Sequence, residues 1–521
     1  MSDLNPGLRA ANCASGVKPQ ELIKYKLSVD QSEVSRCLLC HECDADTVCP
    51  NKKPIGSILR SLYFENIRGA ADRLGDASCL YCCAPCENAC KLGKVKAPVH
   101  IKDIMLGLES DKKYHLPEKK LAEVDLSTDI CGVKLENPFL LSSSVVASSY
   151  DMCARAFEAG WAGVSFKTIC NFPQHEASPR FSTVHFHSNA FFGFKNIEQL
   201  SDHSPAQNMD IFRRLKADYP NKVIVASIMG RNEAEWAELA KLCQDNGADV
   251  IECNFSCPNM EDAALGVTIG QSRELVYRFT KAVKQAVTIP VLAKLTPNIT
   301  DMTEIAKGAK DAGADGIAAI NTINSITGVN IDTLVAEPEV HGTSIVGGYS
   351  GAAVKPIALR FLSDLNQCGE LAGMHISGMG GIENWKDALE FLLMGAGSLQ
   401  ITTAVMQYGY RIIDDLLYGL SNYLQCKNIP AVGELVGKAA TTVVAHNDVQ
   451  RDTILFPVFE HEHCIGCGRC YISCMDGGHQ AITRLPDGKP KLNGSKCVGC
   501  HLCRLVCPTG SITTAARRVT R

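Results

Sequence analysis

One cysteine in this chain stands where a proton could be moved. Cys257 lies in the run Asn254-Phe-Ser256-Cys257-Pro-Asn259, directly after the apolar stretch Asp249-Val-Ile-Glu-Cys-Asn254. The stretch reads as a buried parallel strand, and Arg273 to Val287 reads as the amphipathic helix that follows it. A thiol on a loop at the C-terminal end of such a strand, with a pKa near 8.5, can give or take a proton. Other cysteines of the middle region, such as Cys243 and Cys368, read as small packed hydrophobes.

The remaining cysteines are ligands by their spacing. Of 26 in the chain, ten precede residue 91 and eight fall between 464 and 507. Tight spacing without a secretory signal points to metal ligation in a reducing, cytoplasmic setting rather than to disulfides. Cys464-x2-Cys467-x2-Cys470-x3-Cys474 and Cys497-x2-Cys500-x2-Cys503-x3-Cys507-Pro508 repeat the run of two-cluster bacterial ferredoxins. In that pattern the fourth cysteine crosses over. One [4Fe–4S] cluster is therefore assigned to Cys464, Cys467, Cys470 and Cys507, and a second to Cys497, Cys500, Cys503 and Cys474. One departure is that Met475, not proline, follows Cys474.

Near the N-terminus stand Cys37-x2-Cys40-x2-Cys43-x5-Cys49-Pro50 and Cys79-x2-Cys82-Cys83-x2-Cys86-x3-Cys90. Soft, anionic thiolates so placed suit two further clusters; structural zinc takes the same donors and stays open on spacing alone. Helical apolar spacing from Ile55 to Leu74 returns the chain so that the two arrays can meet.

Three regions must position these groups: an α-helical iron–sulfur domain over 1–120, a barrel over 121–430 and a ferredoxin-like two-cluster domain over 431–521. The barrel reading rests on eight apolar runs: 139–144, 163–168, 223–229, 249–256, 291–296, 316–322, 376–380 and 399–403. Helical stretches such as 233–244, 302–311 and 385–393 alternate with them, as a (β/α)8 TIM barrel requires. A strand pair, 127–131 with 133–135, is expected to plug its base. The alternative is a doubly wound open sheet.

Polar residues at the ends of these strands suggest a flavin mononucleotide. Gly380-Gly381 and Thr402-Thr403 follow the last two strands, where backbone N–H groups commonly cradle a phosphate. No G-x-G-x-x-G follows a strand, so a dinucleotide is not indicated. Lys167 and Lys294 lie inside apolar strands, where a cation needs an anion; the reduced flavin ring offers one, and a buried salt bridge is the other reading. Ser143 and Thr168 join this cofactor group. Asn232, Asn254 and Asn321 offer paired donors and acceptors to a planar ligand with alternating C=O and N–H, with Ser256 and Thr322 beside them.

These stretches carry a resemblance. Residues 125–515 are similar to the pyrimidine-reducing subunits of NAD-dependent dihydropyrimidine dehydrogenases, through Ala226-Ser-Ile-Met229, Glu252-Cys-Asn-Phe-Ser-Cys-Pro258, Ala293-Lys-Leu-Thr-Pro-Asn298, Gly316-Ile-Ala-Ala-Ile-Asn-Thr322, Tyr349-Ser-Gly and Tyr471-Ile-Ser-Cys474. Dihydroorotate dehydrogenases share the barrel and the Asn-x-Ser-Cys-Pro loop. The resemblance implies FMN, and reduction of uracil or thymine to the 5,6-dihydro base. It also implies that Cys257 protonates C5 after hydride reaches C6. Asn232, Asn254, Asn321 and Thr322 would hold the base, and Lys167 and Lys294 the flavin. Residues 1–120 resemble the helical iron–sulfur domain of that family and of glutamate synthase small subunits. Cys37, Cys40, Cys49, Cys86 and Cys90 align; the usual third ligand falls at Ala45, and Cys43 stands in for it. With Cys79 and Cys82 these make eight ligands and leave Cys83 spare.

The chain shows no pattern for FAD or NAD(P)H, so the resemblance implies a partner flavoprotein or ferredoxin as electron source, and a homodimer or heterotetramer. The net charge of −4 is mixed in sign and no apolar run reaches about 18 residues, so neither nucleic acid nor membrane is expected. Two other functions fit the residues: a dihydroorotate or other cyclic-amide oxidoreductase, or an electron-transfer subunit without substrate chemistry of its own.

Overall fold

Eight parallel strands close on themselves in sequence order. They are β1 (Phe139–Leu141), β2 (Gly163–Ile169), β3 (Val223–Ile228), β4 (Val250–Asn254), β5 (Val291–Lys294), β6 (Gly316–Ala319), β7 (His375–Met379) and β8 (Ser398–Ile401). This computed structural model describes residues 29–115, 123–185, 190–255 and 267–518. All eight expected runs are present, and each strand is shorter or ends earlier than its apolar run, except β2, which runs one residue longer. The barrel expectation holds because the strands are apolar on both faces, buried between the inner core and a ring of helices.

The helices form for local reasons as well. Helix Glu233–Asp245 is capped by Asn232, whose side chain accepts Glu235 N–H. Helix Trp385–Leu393 starts in a capping box between Asn384 and Asp387. The hairpin Thr128–Ile130 with Val133–Leu135 closes the base: Ile130 and Leu135 pack on Leu140, Val223, Val250 and Leu292 at the lower strand ends. Over the mouth lies a four-stranded antiparallel sheet absent from the sequence reading. Its order is Ile323–Ser325, Gly347–Ser350, Phe191–Asn196, Phe181–His185.

The chain divides after Thr442 into two compact units. The first joins the N-terminal helices to the barrel. Helix α1 (Ile55–Tyr63) buries Ile55, Ile58, Leu59 and Leu62 at helical spacing against Ile101, Ile104 and Leu108. Its far end meets the helix Ile413–Lys427. There the buried Asp415 carboxylate accepts Arg60 Nε at 2.7 Å, Ser61 Oγ at 2.6 Å and Asn66 Nδ2 at 3.0 Å. Trp385 Nε1 donates to the Glu65 carbonyl at 3.1 Å, and Phe64 enters the barrel's own hydrophobic core. The second unit pairs Thr453–Phe459 with Ile512–Arg518 and Ile482–Arg484 with Pro490–Leu492, around the short helices Arg469–Gly477 and Leu502–Leu505.

Candidate functional site

The upper strand ends build one cavity. Its wall carries Ser143 after β1, Lys167 and Thr168 from β2, Asn254 from β4, Lys294 from β5 and Asn321 and Thr322 after β6. Gly380 and Gly381 after β7 and Thr402 and Thr403 after β8 complete the ring. Thr168 ties these groups together. Its hydroxyl lies 3.1 Å from Ser143 Oγ and 2.9 Å from Ser227 Oγ, and accepts Asn254 Nδ2 at 2.9 Å. Asn321 Nδ2 reaches Asn254 Oδ1 at 3.4 Å.

Both lysines have carboxylate company. Lys294 Nζ is 3.4 Å from Glu252 Oε1, and both residues are almost fully buried. Glu252 also accepts Ser165 Oγ at 3.2 Å and Gln400 Nε2 at 3.1 Å, and Gln400 continues to Ser377 Oγ at 3.2 Å. Lys167 Nζ lies 3.6 Å from Glu176 and 3.7 Å from Glu198, and Arg180 shares the same two carboxylates. Burial pushes the Glu198 carboxyl up, and Lys167 beside it draws it back.

Asn232 does not join the cavity. It is exposed, and its carboxamide oxygen is engaged in capping helix Glu233–Asp245 at 3.1 Å from Glu235 N. The helix needs an acceptor at that position, and the Asn232 oxygen supplies it. Ser256 and Cys257 lie outside the described residues; the chain before them ends in buried Phe255.

Sequence reasoning missed several lining residues. Gln400 lines the cavity and Glu252 pairs with the lining Lys294; both are polar groups inside apolar strands, the same signal that singled out the lysines. Glu383 follows the glycine pair; burial pushes its carboxyl up to about 8, with Asp387 adding to the shift. Phe194, Asn196, Tyr349 and Ser350 reach the cavity from the antiparallel sheet, which has no signature in barrel periodicity.

The residues fit a mononucleotide flavin. Glu383 Oε1 and Gln400 Oε1 are buried, border the cavity and have no hydrogen-bond partner among the described residues; a polar ligand would supply one. Along the cavity wall Gly351, Gly380 and Gly381 have φ of +91°, +119° and +86°. A Cβ on Gly381 would sit 2.8 Å from Lys355 N and 2.9 Å from Gly351 O, so only glycine leaves the backbone open there.

The cysteines fall into four groups, each lining one cavity. Cys37, Cys40, Cys43 and Cys90 line the first, together with Arg411. Cys49, Cys79, Cys82 and Cys86 line the second, while Cys83 is exposed. In the other unit, Cys464, Cys467, Cys470 and Cys507 line one cavity, and Cys474, Cys497, Cys500 and Cys503 the other. Burial pushes the thiols of Cys37 and Cys86 up to about 11 and about 12, so thiolates there call for a bound cation beside them.

A flavin barrel carrying cysteine tetrads defines a class, a flavin and iron–sulfur oxidoreductase. Comparison with known proteins agrees. The dihydroorotate dehydrogenase profile matches residues 125–424 and a 4Fe-4S dicluster domain profile matches residues 458–514. The NAD-dependent dihydropyrimidine dehydrogenase subunit PreA of Escherichia coli K12 is 53% identical over 367 residues, covering 70% of this chain and 89% of that protein. The chloroplastic dihydropyrimidine dehydrogenase (NADP+) of Arabidopsis thaliana is 36% identical over 340 residues, covering 63% of this chain and 80% of that protein. A crystal structure of DHODH from Eimeria tenella with ferulenol shares the fold at TM-score 0.51 and 20% identity, covering 64% of this chain and 93% of that one. The chain belongs to the dihydroorotate dehydrogenase family and, within it, stands with the PreA-type dihydropyrimidine dehydrogenase subunits. Its cofactors are FMN and [4Fe–4S] clusters. Among the described residues no helix is long and apolar enough to cross a membrane.

Proposed function

We propose that this chain interconverts uracil or thymine with the 5,6-dihydropyrimidine, drawing electrons through its iron–sulfur clusters from a partner flavoprotein or ferredoxin. The observation that carries the reading is the linked array of Thr168, Asn254 and Asn321 above the Lys294–Glu252 pair, in a chain 53% identical to PreA. The carboxamides of Asn254 and Asn321, with Thr322, match the alternating C=O and N–H edge of a pyrimidine. The hydroxyl of Thr168 fixes the pitch of Asn254, so the base arrives already oriented. FMN, when bound, would supply the hydride chemistry; Lys294 and Lys167 would hold positive charge beside it, and the glycine pair with Thr402 and Thr403 would receive its phosphate.

Cys257 stands three residues beyond Asn254. Its thiol gives the proton to C5, where negative charge gathers as C6 is reduced, and takes it back in the reverse direction. Ser256, its neighbour in sequence, is assigned to the base by the same resemblance. Among the described residues lining the cavity the cations are Lys167 and Lys294, both beside carboxylates. That favours a neutral base over a dihydroorotate-like carboxylate. We also propose the three-part division at 120 and 430, a cytoplasmic location, and assembly as a homodimer or heterotetramer.

The test is Cys257→Ala. Flavin absorbance stays, a uracil-induced change in the flavin spectrum stays, and turnover falls by roughly 10²–10⁴-fold. Turnover near the parent value would remove the thiol from the reaction. A chain that binds FMN and shows no spectral response to uracil would instead be an electron-transfer subunit.

A further inference from the structure

The inside of a (β/α)8 barrel is ordinarily filled by layers of branched apolar side chains. Here a string of polar groups runs through it toward the mouth. His375 and Ser377 stand two apart on β7, and Ser398 and Gln400 two apart on β8, so each pair projects to one face of its strand. The two strands are neighbours, with Ser377 opposite Ser398. His375 Nε2 lies 2.9 Å from Ser398 Oγ, Ser398 Oγ donates to Ser377 Oγ at 2.9 Å, and Ser377 Oγ accepts Gln400 Nε2 at 3.2 Å. Both serines are fully buried, and Gln400 is 1% exposed. Room is kept for the imidazole, because a Cβ on Gly397 would sit 2.8 Å from His375 Cε1.

Donors and acceptors along the string are fixed. The hydroxyl hydrogen of Ser398 is spent on Ser377, so His375 carries its hydrogen on Nε2 and gives it to Ser398. Burial keeps that imidazole neutral, its pKa pushed down to about 4. At the upper end Gln400 Nε2 donates to Ser377 and, at 3.1 Å, to Glu252 Oε2. A carboxylate only accepts, so the carboxamide cannot turn over without setting oxygen against oxygen. That leaves Gln400 Oε1 turned away from Glu252, buried and without a hydrogen-bond partner among the described residues, on a side chain that lines the cavity. Lys294 Nζ stands at the other oxygen of the same carboxylate, at 3.4 Å.

We infer that Glu252 and the string from His375 to Ser377 hold Gln400 in one orientation, and that the Gln400 oxygen accepts the imide N–H of the bound flavin ring. This rests on the reading that the mouth holds FMN. The oxidised isoalloxazine has one ring N–H, set between two carbonyls. A neutral acceptor and a cationic donor sharing one carboxylate match that N–H and a carbonyl beside it. Gln400 lies on β8, the strand that leads directly into Thr402 and Thr403, whereas the pyrimidine edge is given to Asn254 and Asn321 on other strands. Ser377, Ser398 and His375 are positioning residues, since they act through Gln400. A ring whose imide nitrogen carries a substituent has nothing to give this oxygen and leaves it unsatisfied.

The experiment uses the full, iron-replete chain freed of flavin, titrated with FMN and with 3-methyl-FMN and followed by flavin fluorescence. The parent binds 3-methyl-FMN at least tenfold more weakly than FMN. Gln400→Leu binds FMN roughly tenfold more weakly than the parent, and binds the two flavins within about twofold of each other. Ser377→Ala deletes one hydroxyl and leaves Gln400 on Glu252; its discrimination falls to roughly threefold. The flavin Raman band that responds to deuteration of the imide moves in Gln400→Leu and part of the way in Ser377→Ala, a change that a purely structural role would not produce. Should Gln400→Leu fail to fold, Ser377→Ala carries the test by itself. Equal affinity of the parent for both flavins, parental discrimination in either variant, or an unmoved imide band would overturn the inference. A parent that takes up no FMN would fail the earlier reading instead, and the first titration tells the two apart before any variant is made.

Discussion

Removing one member of the Glu252–Lys294 pair should cost far more than removing both. The two charges face each other at 3.4 Å with almost no solvent access. At an effective dielectric near 20, that separation gives an attraction of about 5 kcal/mol. Breaking a buried pair from one side typically costs about 3–5 kcal/mol, because the survivor is left charged and unpaired. In FMN-free protein, Glu252→Gln and Lys294→Met should each lower stability by about that amount, lowering Tm by roughly 3–6 °C for a body of this size. The double variant should recover much of it, because no lone charge remains. Denaturant unfolding can be followed by fluorescence, since all three tryptophans, Trp161, Trp236 and Trp385, are buried in the barrel body. Additive single effects, or a Glu252→Gln within 1 kcal/mol of the parent as a rough bound, would show that solvent screens the pair and that the argument from burial is wrong.

Three further outcomes follow from the geometry. Glu383 has its pKa raised from 4.5 to about 8 by burial, so its contribution to stability is full below pH 4.5 and is lost as pH rises through 8; Glu383→Gln should flatten Tm against pH across that window, and an unchanged slope would place the titration elsewhere. Gly381→Ala puts a Cβ 2.8 Å from Lys355 N at φ +86°, so FMN content after purification should fall sharply while the far-UV spectrum holds; full FMN occupancy would move the phosphate site. Cys83→Ser should leave iron and sulfide unchanged while Cys82→Ser loses one cluster's worth, and the reverse result would exchange their roles.

The barrel was legible because its period is physical. Strands buried on both faces must be apolar, and helices must alternate with them, so eight runs could be counted. Strand ends were less legible. The run 316–322 reads as one strand, yet the ladder stops at Ala319 and leaves Asn321 and Thr322 to turn into the mouth. The strands Phe181–His185, Phe191–Asn196, Ile323–Ser325 and Gly347–Ser350 form an antiparallel sheet whose pairing is set by distant contacts, so nothing local announced it. Lys294 drew attention in the sequence, and Glu252, two residues before Asn254 in an equally apolar strand, did not. The sorting of the N-terminal cysteines also needed the fold. Cys90 crosses to the Cys37 group, and Cys49 to the group of Cys79, only because the intervening helices fold back. Asn232, a polar residue near a strand end, also caps its own helix, a role that strand periodicity does not announce.

The Asp415 socket links iron supply to the soundness of the whole catalytic body. Small cysteine-rich regions commonly fold only around their metal. A cell short of iron would then make chains whose N-terminal helices never set, so Arg60, Ser61 and Asn66 would not reach Asp415, and Phe64 would leave its place in the barrel core. A buried carboxylate stripped of its donors and an apolar socket open to water are marks that proteolysis recognises. Starved chains would be cleared before they could accumulate as flavin-loaded shells without wiring.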